Sequence, residues 1–266
     1  MRGSRLFSIL SIFLFLASFT LLNSCLYYGD LGDISASSLN IETIHPSWIK
    51  TDGLVSYWKM DGFDVGTNLA SDSVGSNTLQ FFGVVSAGNF VPGKINSGLA
   101  VSNTAEYLAN PVSIQSIGLP SFGSDQTLSI WFRNNGGAYT GNNLFLLTYP
   151  NSSTLSFAFS SLRSLKATAT PSVILISGAT VASVDDGSWH HAAYTFSSSA
   201  NKYSLYYDGA LLLEAAPGTV PSTSGSPVSV KLGGANAGYS SELDEATIWN
   251  RELSAGEILG IYQHQF

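Results

Sequence analysis

The order of apolar and polar residues along the chain spells out a series of short β-strands. Residues 54–60 alternate, with Leu54, Ser56, Trp58 and Met60 on one side and Val55, Tyr57 and Lys59 on the other. That period of two is what a half-buried strand requires. Residues 126–133 form the clearest interior strand, with Leu128, Ile130 and Phe132 on one face and Ser129 and Trp131 on the other. Gly, Asn, Pro and Ser clusters separate further strands expected at 78–82, 98–102, 105–109, 143–149, 155–160, 165–169, 173–177 and 228–232.

The stretch that organises the rest is 188–209. Residues 189–196 are rich in aromatics and carry no charge apart from His190 and His191. A polar break at 197–201 follows, then a second strand at 203–207. Asp208-Gly209 is a hairpin signal, because both turn positions need φ > 0. Leu211 opens the next strand, and the three make a meander too apolar to stand alone. Residues 242–250 read as a closing strand. Ser254, with Glu257 three residues on, is a capping box for a short helix whose apolar side is Ile258, Leu259, Ile261 and Tyr262. About a dozen strands without βαβ alternation predict an all-β fold, a two-sheet antiparallel sandwich with a short C-terminal helix.

The N-terminus follows a different pattern. Arg2 and Arg5 precede an apolar run at 6–22, the two regions of a secretory signal, with a retained membrane anchor as the alternative. Leu22-Asn23-Ser24-Cys25 resembles a bacterial lipobox. It implies a signal peptide over 1–24, acylation of Cys25, and a protein of the bacterial cell envelope, at the outer membrane or cell surface ahead of the inner membrane. The membrane is then a partner through the lipid, each buried methylene contributing about 0.8 kcal/mol. Cys25 is the sole cysteine, so no internal disulfide can form. Residues 25–52 read as a tether, with Trp48 and Ile49 packing at the domain edge, and 53–266 as the domain.

Composition narrows the picture slightly. A chain of 266 residues, 44% hydrophobic and 11% charged, suits one large all-β domain behind its leader. The formal net charge is −7; loss of Arg2 and Arg5 leaves nine of the 11 basic residues against 18 acidic ones. With no basic stripe, that field excludes a nucleic-acid partner.

Three groups of residues carry a family resemblance. Trp189-His190-His191 with Thr195-Phe196, then Leu205-Tyr206-Tyr207-Asp208-Gly209, resemble the signature hairpin of laminin G-like domains in the concanavalin A-like lectin/glucanase superfamily. Leu232-Gly233-Gly234, Leu243-Asp244-Glu245, Ile248 to Ser254 and Glu257-Ile258 are similar to its closing pattern. Residues 54–61 with Asp72-Ser73 and Gly75 are a weaker third match. Together they cover 53–262 and imply a jelly-roll with one concave sheet. The resemblance also implies a non-catalytic, lectin-like surface module binding carbohydrate or protein ligands. A glycoside hydrolase or lyase, or a structural envelope protein without a discrete ligand, is the alternative.

Candidate chemistry bears on that choice. Some superfamily members use Glu-x-Asp-x-Glu, whose period-two spacing sets three carboxylates on one sheet face. Here the nearest run is Glu242-Leu243-Asp244-Glu245-Ala246. Alanine stands at the third place, and Glu245 is expected on the opposite face, away from any partner. No enzyme is expected. His45, His190, His191 and His264 are scattered; adjacent His190 and His191 face opposite ways, one expected packed and one on the surface, and cannot share a metal. The resemblance implies a structural Ca²⁺ held by Asp244 and Asp61, with Asp72 beside them. The other reading makes Asp61 and Asp72 turn formers and gives Asp244 a hydrogen bond to a neighbouring strand. For a sugar or protein ligand, Asn134, Asn135, Tyr139, Asn142 and Asn143 in one rim loop, with Tyr239 in another, supply amide groups and an aromatic platform.

Overall fold

The chain divides into two compact units, Met1–Thr43 and Ile44–Phe266. The computed structural model describes residues 49–62, 68–101, 106–111, 118–134, 142–150, 152–160, 163–169, 173–181, 184–216, 225–234 and 241–263, all in the second unit. The apolar run at 6–22, Cys25, His45, Trp48, Asn135, Tyr139, Tyr239 and His264 lie outside these residues, as does the side chain of Asn142.

The described strands are β1 (Leu54–Trp58), β2 (Leu69–Ala70), β3 (Leu79–Phe82), β4 (Phe90–Pro92), β5 (Ser97–Val101), β6 (Tyr107–Ala109), β7 (Gln126–Asn134) and β8 (Asn142–Thr148). They continue with β9 (Thr154–Phe159), β10 (Ser164–Ala169), β11 (Val173–Thr180), β12 (Trp189–Ser197), β13 (Lys202–Tyr207), β14 (Ala210–Ala215), β15 (Ser229–Leu232) and β16 (Ser241–Trp249). One helix, α1 (Ala255–Gln263), closes the chain. The first sheet runs β14-β13-β12-β7-β16-β5-β4, with β1 also on β16; the second runs β11-β10-β9-β8-β15-β6-β3-β2. Every pairing among the described strands is antiparallel; sequential strands pair in β12-β13-β14 and β8-β9-β10-β11, while β16 joins distant strands, β7 and β5. This is the all-β, two-sheet sandwich that the alternation predicts, with its short C-terminal helix.

The core lies between the sheets. Trp58, Leu128, Ile130, Phe132, Tyr194, Phe196, Leu243 and Ile248 meet Phe81, Phe145, Phe157, Phe159, Leu165 and Val230, all buried. A second cluster sits on the far side of the first sheet, where Ile258 and Ile261 of α1 cover Tyr57, Ala193, Tyr206 and Trp249. Being packed on both faces, β16 is buried along its whole length. Ile49 joins the second cluster, the Trp249 indole donates to the Lys50 carbonyl at 2.7 Å, and Arg251 Nε donates to the Asp52 carbonyl at 2.8 Å. The folded unit therefore begins ahead of Gly53, and the end of the expected tether is part of it.

Two local predictions are met in detail. Asp208 and Gly209 have φ of 47° and 75°, the left-handed pair that a tight hairpin needs. At α1, Ser254 Oγ accepts the Glu257 amide at 3.3 Å, and Glu257 Oε2 accepts the Ser254 amide at 2.9 Å.

Candidate functional site

The closing strand does not keep its period of two. Glu245 adopts φ of 50°, and the pairing of β16 with β7 shifts between Asp244 and Thr247. A bulge of this kind inserts one residue and resets the alternation after it. Ala246 consequently faces the core between the sheets, rather than sharing a face with Glu242 and Asp244. Glu245 is buried and accepts a hydrogen bond from the Tyr57 hydroxyl. The expectation that it points away from any partner is thus corrected: simple alternation cannot see a bulge.

Each carboxylate of β16 has an internal partner. Glu242 forms an ion pair with Arg133. Asp244 Oδ2 accepts the Lys94 and Ile95 amides at 2.7 and 3.0 Å, and its Oδ1 accepts the Glu245 amide at 3.0 Å. Burial, then the Glu245 charge, pushes Asp244 up to about 9 despite those amides, with Asp61 adding to the rise. Burial likewise lifts Glu245 to about 8, opposed by the Tyr57 hydrogen bond and reinforced by the Asp61 charge. Burial and Glu245 raise the Tyr57 phenol as well, so it stays a donor. Burial of two adjacent acids thus favours their protonated forms.

The three expected calcium ligands are placed as follows. Asp72 Oδ1 accepts the amides of Tyr57, Val74 and Gly75 at 2.9 to 3.0 Å, and its Oδ2 accepts that of Asn77 at 3.1 Å. It is the keystone of a turn. Gly75 completes that turn, because a Cβ there would come within 2.6 Å of the Val55 carbonyl. Asp61 accepts the Ser97 amide at 3.2 Å and opens onto a recess of about 140 Å³ that also exposes Lys59, Ser71 and Ser73. Asp61 and Asp244 interact electrostatically. Among the described residues, no group of three or more carboxylate, imidazole or thiol side chains is placed to hold a metal ion. The side chains alone do not fit a calcium centre, which takes six to eight oxygens.

Both described histidines are buried, His190 and His191 alike, which corrects the expectation of one at the surface. The reason is α1, which brings Tyr262 over the outer face of the first sheet, stacked on Trp131 at 5.7 Å and lying 6.5 Å from His191. His191 Nε2 is hydrogen-bonded with Ser129 Oγ at 2.7 Å. His190 lies between Asp208 (2.8 Å) and Asp186 (3.1 Å). Burial works against its charge, but the hydrogen bonds and charges of the two aspartates together outweigh it, and its pKa is raised.

Of the rim-loop candidates, Asn134 is buried and donates to the Val184 carbonyl at 3.0 Å, so its amide braces the fold. Asn143 Oδ1 accepts Ser156 Oγ at 2.7 Å. The pairing of Ser241 with Asn134 brings together the roots of the two loops expected to act jointly.

Sequence reasoning missed the outward face of the second sheet. Phe82 and Tyr107, on adjacent strands, stack at 4.9 Å and 14°. The ammonium of Lys231 lies 3.7 Å from the centre of the Tyr107 ring. Gly234 permits this, since a Cβ there would meet Tyr107 Cβ at 2.8 Å. All three side chains are half-buried. The only available signal was the outward phase of β3, β6 and β15, which fixes no neighbours across strands.

A family model described as the concanavalin A-like lectin/glucanases superfamily matches residues 108–259, more than half of the chain. The chain belongs to that superfamily. No curated protein matches it. Among solved structures, this lectin/glucanase-type chain is similar to the binding domain of Paraclostridial Mosquitocidal Protein 1 (15% identity, TM-score 0.62, covering 80% of this chain and 52% of that one). It also resembles the Trypanosoma rangeli sialidase (16%, TM-score 0.58, 80% and 33%). A third likeness is domain 4 of AbnA, a GH43 extracellular arabinanase from Geobacillus stearothermophilus, in complex with arabinotriose (16%, TM-score 0.57, 79% and 98%). At these identities the likeness is one of fold. The chain spans about half of the first protein and a third of the sialidase. The fold is thus shared by binding domains and by parts of enzymes.

Proposed function

We propose that this chain is a non-catalytic, lectin-like module that binds carbohydrate, held at the bacterial envelope by a lipid on Cys25. The observation that carries the binding reading is the half-buried, stacked Phe82–Tyr107 pair on the outward face of the second sheet. Aromatic surface beside polar strand residues is what a sugar needs, apolar C–H faces on one side and hydroxyls on the other. The non-catalytic reading is supported by the engagement of all three closing-strand acids with Arg133, backbone amides and Tyr57. A glycosidase needs two carboxyl groups facing each other across a sugar bond. The arabinotriose complex of the AbnA domain is a precedent on this fold. A structural Ca²⁺ beside Asp61, completed by backbone carbonyls and water, belongs to the same proposal.

The test is a glycan array probed with the full chain, alongside a reducing-end release assay on the glycans that bind. Binding without release supports the proposal. Turnover, or an array with no bound glycan, would overturn it. Metabolic labelling with a fatty acid, compared between wild type and Cys25→Ala, tests the anchor.

A further inference from the structure

The two sheets differ sharply in charge. The described strands of the second sheet hold Lys166 and Lys231 and no aspartate or glutamate. The strand carboxylates Glu214, Glu242, Asp244 and Glu245 are all in the first sheet. In a chain with 18 acidic and 11 basic residues, a sheet with only cations stands apart. Both lysines take the outward phase, because Leu165, Ala167, Val230 and Leu232 on either side of them are buried in the core.

Lys231 is also the better placed of the two. Its ammonium caps one end of the Phe82–Tyr107 stack. Burial alone lowers its pKa, with no carboxylate among the causes. A desolvated cation without a counter-ion gains most from an anion brought by a ligand. Across the same face, register places Gln80, Lys231, Leu146, Ser156 and Thr168 in one row. Half-exposed Gln80 and Ser156 supply polar atoms within that row.

We propose that this face binds an acidic polysaccharide, a uronate-containing chain whose carboxylate meets Lys231 while the neighbouring sugar lies along Phe82 and Tyr107. The inference rests on the glycan-binding reading above and adds the charge of the ligand. Two features favour it over a neutral sugar: the cation at the end of the aromatic pair, and a sheet whose described strands carry no carboxylate.

The experiment titrates the full chain by calorimetry with oligogalacturonate, alginate and hyaluronan oligomers, with methyl-esterified oligogalacturonate and a neutral galactan as counterparts. At least one uronate chain should bind, weakening with salt, and its uncharged counterpart should bind about tenfold or more weakly, the size of one charge-assisted hydrogen bond. Lys231→Met should lose that same factor and abolish the preference for the acid, while Lys231→Arg retains it. Unchanged melting of Lys231→Met checks that the fold is intact. Neutral glycans binding as well as the acids, or Lys231→Met binding like wild type, overturns this inference and leaves the glycan-binding reading standing. Failure of every glycan, acidic and neutral, overturns both. Equal competition by poly-glutamate would assign the face to an acidic peptide and overturn the sugar.

Discussion

Replacing Glu245 by glutamine should change how stability depends on pH. In the fold Glu245 titrates near 8 and Asp244 near 9, both raised first by burial. Unfolded carboxyls titrate near 4, at about 3.9 for Asp and about 4.3 for Glu. As pH rises from about 4.5 to about 8, the unfolded chain releases a proton that folded Glu245 keeps, so stability falls with pH. The contribution is fully present below the unfolded value and is lost as pH climbs to the folded one. Each such proton corresponds to about 1.4 kcal/mol per pH unit. Glu245→Gln keeps an oxygen to accept the Tyr57 hydroxyl and removes that proton.

Between about pH 5.5 and 7.5 the variant should therefore gain about 2.7 kcal/mol on wild type. For a domain of this size that is about 5–10 °C in melting temperature. Urea unfolding of both proteins across that range measures the gap directly. The gap, rather than either curve, is the readout, because His190, whose shift comes from burial, Asp208 and Asp186, cancels in it. Lys59 and Asp61, the charges nearest Glu245, are untouched. A gap that stays constant with pH would refute the buried-acid account.

Ser254→Ala should cost about 1 kcal/mol by removing the cap on α1, read as a fall of about 2–4 °C in melting; no change would mean that packing alone holds the helix. An NMR titration of His190 should give a pKa above the ordinary value of about 6.5. Its charged form then contributes stability below that value, and the contribution is lost as pH rises through the folded pKa. A His190 pKa at or below the ordinary value would refute the clamp by Asp186 and Asp208. Leu243→Ala, in the core between the sheets, should destabilise by about 2–5 kcal/mol; a smaller loss by urea unfolding would mean that the site collapses. EDTA should lower the melting temperature and Ca²⁺ restore it if the metal proposal at Asp61 holds; indifference to both sinks it.

The sequence by itself determined whatever depends on near neighbours in the chain. Alternation in β7, the left-handed pair at Asp208-Gly209 and the Ser254/Glu257 cap are set within a few residues, and all three hold. Motif spacing was enough to reach the superfamily. Tertiary structure decided what depends on residues brought from afar. One inserted residue at Glu245 reversed the phase of β16 and turned a side chain assigned to the opposite face onto Tyr57, 188 positions away. The packing of α1 against the first sheet buried a histidine expected at the surface, because a face reads as exposed until something covers it. Phe82, Tyr107 and Lys231 stand far apart in sequence and meet only through strand order. Pairing partners in an antiparallel sandwich are chosen by the whole fold, and period-two patterning says which way a side chain faces but not what stands beside it.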